Sequence, residues 1–203
     1  YKTDFEEVYE SDAFPIRPER IVNELSNGMP ENAIIVVDTG HSGMWMGGMF
    51  EKRHEGQSYI RSAGHLGWAF PAALGAKCGA PDRPVVCFMG DLGFWYHMAE
   101  VETAVRAGIN TITIINNNNS GNMAKDSISN IYDGKPTKAS QDIWVQNKIN
   151  FAKIAEDMGA VGIRIEKADE IASAFQNALQ LDKPVVIDIA TDIEVVAPKA
   201  WEP

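Results

Sequence analysis

The chain has 203 residues, 45% of them apolar and 23% charged, which suits one globular domain or at most two very small ones. Eighteen Lys and Arg against 28 Asp and Glu leave a formal charge of −10. No basic run is long enough to follow a phosphate backbone, which argues against nucleic acid as a partner, and no apolar stretch approaches the roughly 20 residues that cross a bilayer.

The opening Tyr1-Lys-Thr-Asp-Phe-Glu-Glu7 is acidic and has neither an initiator Met nor a secretory pattern. Residues 1–14 read as a linker or N-terminal extension, residues 15–203 as the folded domain, and the whole as one piece of a longer cytoplasmic polypeptide. Arg17 to Leu25 has helical period, with Pro18 in the first turn and Gly28 closing it. Ala33–Asp38 is an apolar run of strand length. Leu66–Lys77 reads as an Ala/Gly-rich helix, Pro84–Met89 as a strand, Tyr96–Ala107 as a helix ended by Gly108, and Thr111–Ile115 as a strand. Ser120 to Val145 has no period and exceeds ordinary loop length, so it is expected to be a functional loop or lid. Asn150 caps a helix over Phe151–Met158 ahead of Gly159, Val161–Ile165 is a strand, Asp169–Leu179 a helix and Pro184–Ile189 a strand.

Continuous β-branched runs mark strands buried on both faces, and their alternation with helices predicts an α/β fold: a doubly wound, mostly parallel sheet with helices on both faces. Cys78 and Cys87 are too far apart for a CxxC pair and read as two buried, reduced thiols.

Ligands of such sheets sit at the carboxyl ends of the strands. There the sequence places Thr39-Gly40-His41-Ser42-Gly43, then Gly90-Asp91-Leu92-Gly93, then Asn116-Asn117-Asn118-Asn119-Ser120-Gly121-Asn122. Glycine lets backbone N–H groups approach an anion, and an Asp with an Asn offers the hard oxygen donors that Mg²⁺ takes together with phosphate oxygens. The combination proposes a diphosphate held through a cation. Neither GxxxxGK[ST] nor GxGxxG is present, which counts against NTPase and dinucleotide readings. Composition alone would make a Gly-Asp and an Asn run ordinary turn chemistry; their placement after successive strands points to a site.

Gly90-Asp91, with Asn118 following Asp91 by 27 positions, resembles the thiamine-diphosphate motif of Gly-Asp-Gly and a later Asn-Asn. Arg61-Ser-Ala-Gly64-His65-Leu66-Gly67-Trp-Ala-Phe-Pro-Ala-Ala-Leu-Gly75, Pro15-Ile-Arg-Pro-Glu-Arg-Ile21 and Asp38-Thr-Gly-His-Ser-Gly-Met-Trp45 are similar to segments of acetolactate synthases and related 2-oxoacid enzymes. The resemblance covers nearly the whole chain and implies their diphosphate-binding domain. It implies Asp91, Asn118 and the Ser120 carbonyl as Mg²⁺ ligands. It places Gly40, His41 and Ser42, with the N–H groups of Leu92 and Gly93, at the diphosphate, and Gly90 and Gly121 in the same cofactor-binding set. It further implies that the Gly64 carbonyl accepts from the pyrimidine amino group and that Leu66 is the wedge enforcing a bent cofactor. Asn122 and Met123 then lie near the diphosphate and thiazolium.

Leu92 departs from the motif's second Gly, so its backbone must avoid a glycine-only conformation, and the four-Asn run leaves Asn117 or Asn118 as the ligand. His41 is weighed against a turn cap, and His65 and His97 against polar residues at a helix start. Trp95 and Tyr96 are expected to pack, and Glu100 and Glu102 to be surface charges. The resemblance implies a 2-oxoacid decarboxylase or carboligase. The Glu that activates the cofactor would come from a pyrimidine-binding domain or subunit absent here, in a homo- or hetero-oligomer, with FAD in full-length acetolactate synthases. The alternatives are a lyase or hydrolase on an aryl 2-oxoacid, acyl-CoA or diketone, and a non-catalytic cofactor-binding module.

Overall fold

The computed structural model describes residues 5–198; the first four residues of the acidic opening and residues 199–203 of the expected domain lie outside that range. A short helix α1 (Glu6–Tyr9) packs on α2 (Pro18–Gly28), which begins with Pro at its first position as its sequence requires. Then come β1 (Ile34–Val37), α3 (Gly40–Met49), β2 (Ser58–Arg61), α4 (Ala69–Gly79), β3 (Val85–Gly90), α5 (Asp91–His97), α6 (Glu100–Ala107) and β4 (Ile112–Asn117). The chain continues through α7 (Lys125–Ile131), α8 (Lys138–Gln141), α9 (Phe151–Asp157), β5 (Val161–Ile165), α10 (Ile171–Ala178) and β6 (Val185–Ala190).

The strands form one parallel sheet in the order β2-β1-β3-β4-β6-β5. Successive strand residues point to opposite faces, so the apolar runs build two cores. On one face α2, α3 and α10 cover Ile35, Val37, Phe88, Ile114 and Ile187, with Trp45 and Phe175 fully buried. On the other, α4, α6 and α9 cover Val36, Cys87, Met89 and Ile115, with Phe94 tilted against Phe70 and edge-on to Phe151. Each such buried Phe contributes about 2–3 kcal/mol of transfer free energy. The expected doubly wound sheet is therefore present. Among the described residues no helix is long and apolar enough to cross a membrane.

The differences from expectation have local causes. α4 starts at Ala69 rather than Leu66 because Gly67 holds φ +86° and gives its N–H to Asp38 instead of a helical carbonyl. The helix expected over Tyr96–Ala107 is two, α5 and α6, and starts already at Asp91; it does end at a left-handed Gly108. Asn150 caps α9 through Lys153 N–H as expected. β2 and α3 were not foreseen: β2 is a four-residue, partly exposed edge, and α3 mixes Gly, Met and Trp without a polar face. The segment from Ser120 to Val145 carries α7 and α8, short polar helices without an apolar stripe; a capping box at Thr137 and Ser140 starts the second. Cys87 is buried, but Cys78 is exposed at the end of α4, which corrects the expectation of two buried thiols.

Candidate functional site

Strand order turns around at β1: the chain passes outward to β2 and then back across to β3. Loops leaving β1 and β3 thus diverge and open a crevice at their carboxyl ends, the usual ligand position of such sheets. A cleft of about 180 Å³ lies there. Its walls are Gly40–Ser42 at the start of α3, Leu66, Gly90–Gly93 at the start of α5, and Asn118 with Ser120–Met123 beyond β4. Every site residue expected from the sequence therefore meets in one cleft, except Gly64, which is exposed in the turn before Leu66 and outside it. Thr39 and Asn116, which the sequence places in the converging loops without singling them out as binding residues, also line the cleft, as does Ala124, which was not foreseen.

Asp91 is the acidic centre. It is 2% exposed, its Oδ1 accepts from Leu92 N–H at 2.6 Å and its Oδ2 from Ser120 N–H at 3.1 Å. Burial pushes its carboxyl up to about 6, although backbone N–H groups of Leu92, Ser120, Asn119 and Asn118 pull the other way. Asn118 is also buried, and its Oδ1 accepts from Ser120 Oγ at 2.8 Å.

Asn117 points elsewhere. Its Nδ2 donates to Asp188 Oδ1 (2.8 Å) and Ile149 O (3.0 Å), and its Oδ1 accepts from Asn119 N–H (3.2 Å). Alternation along β4 thus sends Asn117 into the sheet's other face and leaves Asn118 at the cleft. Asn119, at φ +56°, turns the chain, a conformation Asn tolerates better than most residues.

Across the cleft, Ser42 is buried beside Gly90, whose missing side chain leaves room for its hydroxyl. Asn122 spends Nδ2 on the Ile193 and Val195 carbonyls, both 3.4 Å away, so its Oδ1 accepts from His41 Nδ1 at 2.9 Å. Burial lowers the His41 pKa, against the pull of Asn122, and the ring meets Trp45 edge-on at 5.6 Å. Leu92 lies in the first turn of α5, where a non-glycine backbone is at ease, and its Cδ2 sits where a side chain on Gly121 would have to go. The Leu thus narrows the cleft without straining the chain.

Beneath Leu66, Asp38 is fully buried and its Oδ2 accepts from Gly67 N–H at 2.8 Å. Burial raises the Asp38 pKa while the N–H groups of Gly67, Thr39 and Ala69 and the charge of His97 oppose it. His65 is exposed and neither it nor His97 lines the cleft. Trp95 packs edge-on to Phe151 and donates to Gln146, as a packing residue would. The root of the 120–145 segment is pinned shut: Ser120 bridges Val145 and Gly121 N–H donates to Trp144 O at 2.7 Å.

This donor set fits a hard cation that shares its shell with a ligand. Asp91 and Asn118 present oxygens to one cleft, and Asn116 Oδ1 is buried there with no protein partner. Among the described residues no three His, Cys, Asp or Glu side chains gather as a metal cage, so further donors would have to come from phosphate oxygens and water.

A family model described as "Thiamine pyrophosphate enzyme, C-terminal TPP binding domain" matches residues 38–189, from Asp38 at the end of β1 to Ile189 in β6. The chain belongs to that family. It is 33% identical over 183 residues to an acetolactate synthase large subunit of Haemophilus influenzae, covering 87% of this chain and 30% of that protein. It is 28% identical over 189 residues to a sulfoacetaldehyde acetyltransferase of Alcaligenes xylosoxydans xylosoxydans, covering 90% and 30%. A solved structure, the thiamine diphosphate-dependent 4-hydroxybenzoylformate decarboxylase of Rhodococcus jostii RHA1, superposes with a TM-score of 0.77 at 28% identity. It covers 90% of this chain and 34% of that one. The chain spans about 30% of the length of these curated relatives.

Proposed function

We propose that this chain is the domain that anchors thiamine diphosphate, through Mg²⁺, in an acetolactate synthase-like enzyme that decarboxylates a 2-oxoacid and transfers or releases the acyl group. The observation that carries this reading is the convergence of Asp91, Asn118 and Ser120 with the start of α3 and with Leu66 around one cleft at the switch point. When bound, the cofactor supplies a nucleophilic carbon and an electron sink for cleavage beside a carbonyl.

The chain's own residues hold and orient it. Asp91, Asn118 and the Ser120 carbonyl offer the cation oxygen, and the free N–H groups at the start of α3, around Gly40, His41 and Ser42, face the diphosphate charge. His41, kept neutral by burial and donating from Nδ1 to Asn122, adds no charge of its own. Leu66, set on the Asp38-bound turn, supports the bent cofactor, with Asn122 and Met123 at the segment that covers it. Gly64 lies exposed, and so do the apolar side chains of Trp68, in the turn that follows it, and of Tyr96, which Gly67 of the same turn approaches closely. That surface suits docking of the pyrimidine-binding domain or subunit that brings the activating Glu.

Calorimetric titration of the full-length protein with thiamine diphosphate, in Mg²⁺ and in excess chelator, tests the reading. Binding in Mg²⁺ alone is the expected result; binding indifferent to chelator overturns the metal role, and none in either condition overturns the site. Leu66→Ala is expected to leave the affinity within about threefold while lowering kcat by tenfold or more, because an orienting contact acts on the reacting geometry rather than on diphosphate binding. Equal losses in both would remove the wedge role.

A second reading, decarboxylation of an aryl 2-oxoacid, is favoured by the structural likeness to the hydroxybenzoylformate decarboxylase. Side-by-side turnover of pyruvate and benzoylformate, with a flavin spectrum of the full-length protein, separates it from the acetolactate synthase branch.

A further inference from the structure

Asp188 is 0% exposed in the middle of β6, among Val185, Val186, Ile187, Ile189 and Ala190. An apolar residue would fill that place at lower cost, since a buried ion pair is commonly no more stabilising than a hydrophobic replacement. Its partners show what the charge is for. Oδ1 accepts from Asn117 Nδ2 on β4 at 2.8 Å, and Oδ2 accepts from Phe151 N–H at the start of α9 at 2.7 Å. Arg164, its register partner on β5, meets the same oxygen as an ion pair at 2.8 Å, with its side chain 24% exposed.

From Asn117 the connection runs straight to the cleft. Asn117 Oδ1 accepts from Asn119 N–H and Asn119 Oδ1 accepts from Ile149 N–H, which together hold Asn119 in its left-handed turn. That turn places Ser120 N–H on Asp91 and Ser120 Oγ on Asn118. A chain of polar contacts thus spans three adjacent strands, from Arg164 through Asp188 and Asn117 to the loop that carries the oxygen donors.

We propose that Asp188, paired with Arg164, is a positioning residue for the cation-binding loop, acting through Asn117; this rests on the reading that Asp91, Asn118 and Ser120 hold the cation. Asp188 touches neither cation nor cofactor in this scheme. It keeps Asn117 out of the cleft and fixes the turn that presents Asn118. Partners that orient metal ligands in this way characteristically change metal affinity by 10- to 100-fold when removed.

The test uses the full-length protein and reads the Mg²⁺ concentration that half-saturates thiamine diphosphate binding, with Mn²⁺ affinity by electron paramagnetic resonance as a second measure. Asp188→Asn puts an amide where two N–H donors now converge. It is expected to raise the half-saturating Mg²⁺ roughly 10-fold or more while cofactor binding at saturating Mg²⁺ stays near wild type. Asn117→Ala, which cuts the connection but leaves the Asp188, Arg164 and Phe151 contacts, is expected to do the same and serves if Asp188→Asn does not fold. Ile187→Val, one position along β6 and facing the opposite core, lowers stability without touching Asn117 and is expected to leave the metal requirement unchanged. An unaltered metal requirement in a folded Asp188→Asn or Asn117→Ala protein, or an equal change in Ile187→Val, overturns the positioning role. Wild-type binding that is independent of metal overturns the underlying cation site, and this inference with it.

Discussion

Asp91→Asn is expected to weaken thiamine diphosphate binding in Mg²⁺ on the order of 100-fold, about 3 kcal/mol, while making the metal-free protein more stable at neutral pH. The two effects share one cause. A carboxylate 2% exposed, raised from 3.8 to about 6 by burial, is uncomfortable when charged and without a cation. The folded state then binds the proton more tightly than the unfolded chain. The stabilisation from this group is present in full below the unfolded value near 4 and is lost as pH rises to about 6. The loss amounts to roughly 3 kcal/mol, and the amide avoids it, less about 1 kcal/mol because only one of the Leu92 and Ser120 N–H groups keeps a good acceptor. Thermal melts of metal-free wild type and variant should therefore differ at pH 7 and draw together near pH 4. Calorimetry in Mg²⁺ gives the affinity. Retained metal-dependent binding in the variant would falsify the assignment of Asp91 as the cation's carboxylate.

A site of this kind accepts local instability because the ligand removes it. Asp91 is strained by burial, Asn116 Oδ1 lacks a protein partner and Asn119 holds a left-handed turn, all within or beside the same cleft. The surrounding sheet over-determines these positions: β3 and β4 pair through Gly90 and Asn116, at the wall of the cleft itself. The rigid part of the fold thus presents groups that become comfortable only when cation and diphosphate arrive.

What was legible in the sequence follows from this division. β1, β3, β4 and β6 could be read because burial on both faces makes them nearly continuous apolar runs, and β5, an only partly buried edge, because Val161, Ile163 and Ile165 alternate along it. β2, the other partly exposed edge, Ser-Tyr-Ile-Arg, carries neither signal. α3 was missed because its start lines the cleft and its exposed positions further along are the glycines Gly47 and Gly48, so no polar stripe marks it. The cleft residues were legible because they sit close after strand ends and keep a fixed spacing. Asp38, Gly67 and Asp188 were not, since their work is done through contacts such as Asp188 to Asn117, 71 positions apart in the chain. Only the strand order brings those partners together. The choice between Asn117 and Asn118, open in the sequence, turns on the same feature: which face of β4 meets Asp188.

Gly93→Ala is expected to be the most disruptive small substitution at the cleft, lowering stability by roughly 3–5 kcal/mol and the melting temperature by about 10 °C. Gly93 is buried in the first turn of α5, and a Cβ there would run into Asp38 Oδ2, with Leu66 Cδ1 and Met89 Cε also only 3.4 Å away. Asp38 has no free direction to move, because it is fully buried and its Oδ2 is bonded to Gly67 N–H. Gly67 is equally confined: it holds φ +86°, and its own Cβ would lie 2.8 Å from Gly93 O. Displacing the carboxylate therefore releases the turn that sets Leu66, so folding and cofactor support should suffer together, unlike the outcome for Leu66→Ala. A double-mutant cycle separates overpacking from any intrinsic helix effect. If the collision with Asp38 is the cause, shortening that side chain with Asp38→Ala should remove most of the added cost of Gly93→Ala, an interaction of 2 kcal/mol or more by urea denaturation, roughly the upper range for contacting residues. Simple additivity of the two substitutions would show that the Asp38, Gly67 and Gly93 contacts do not act as a unit.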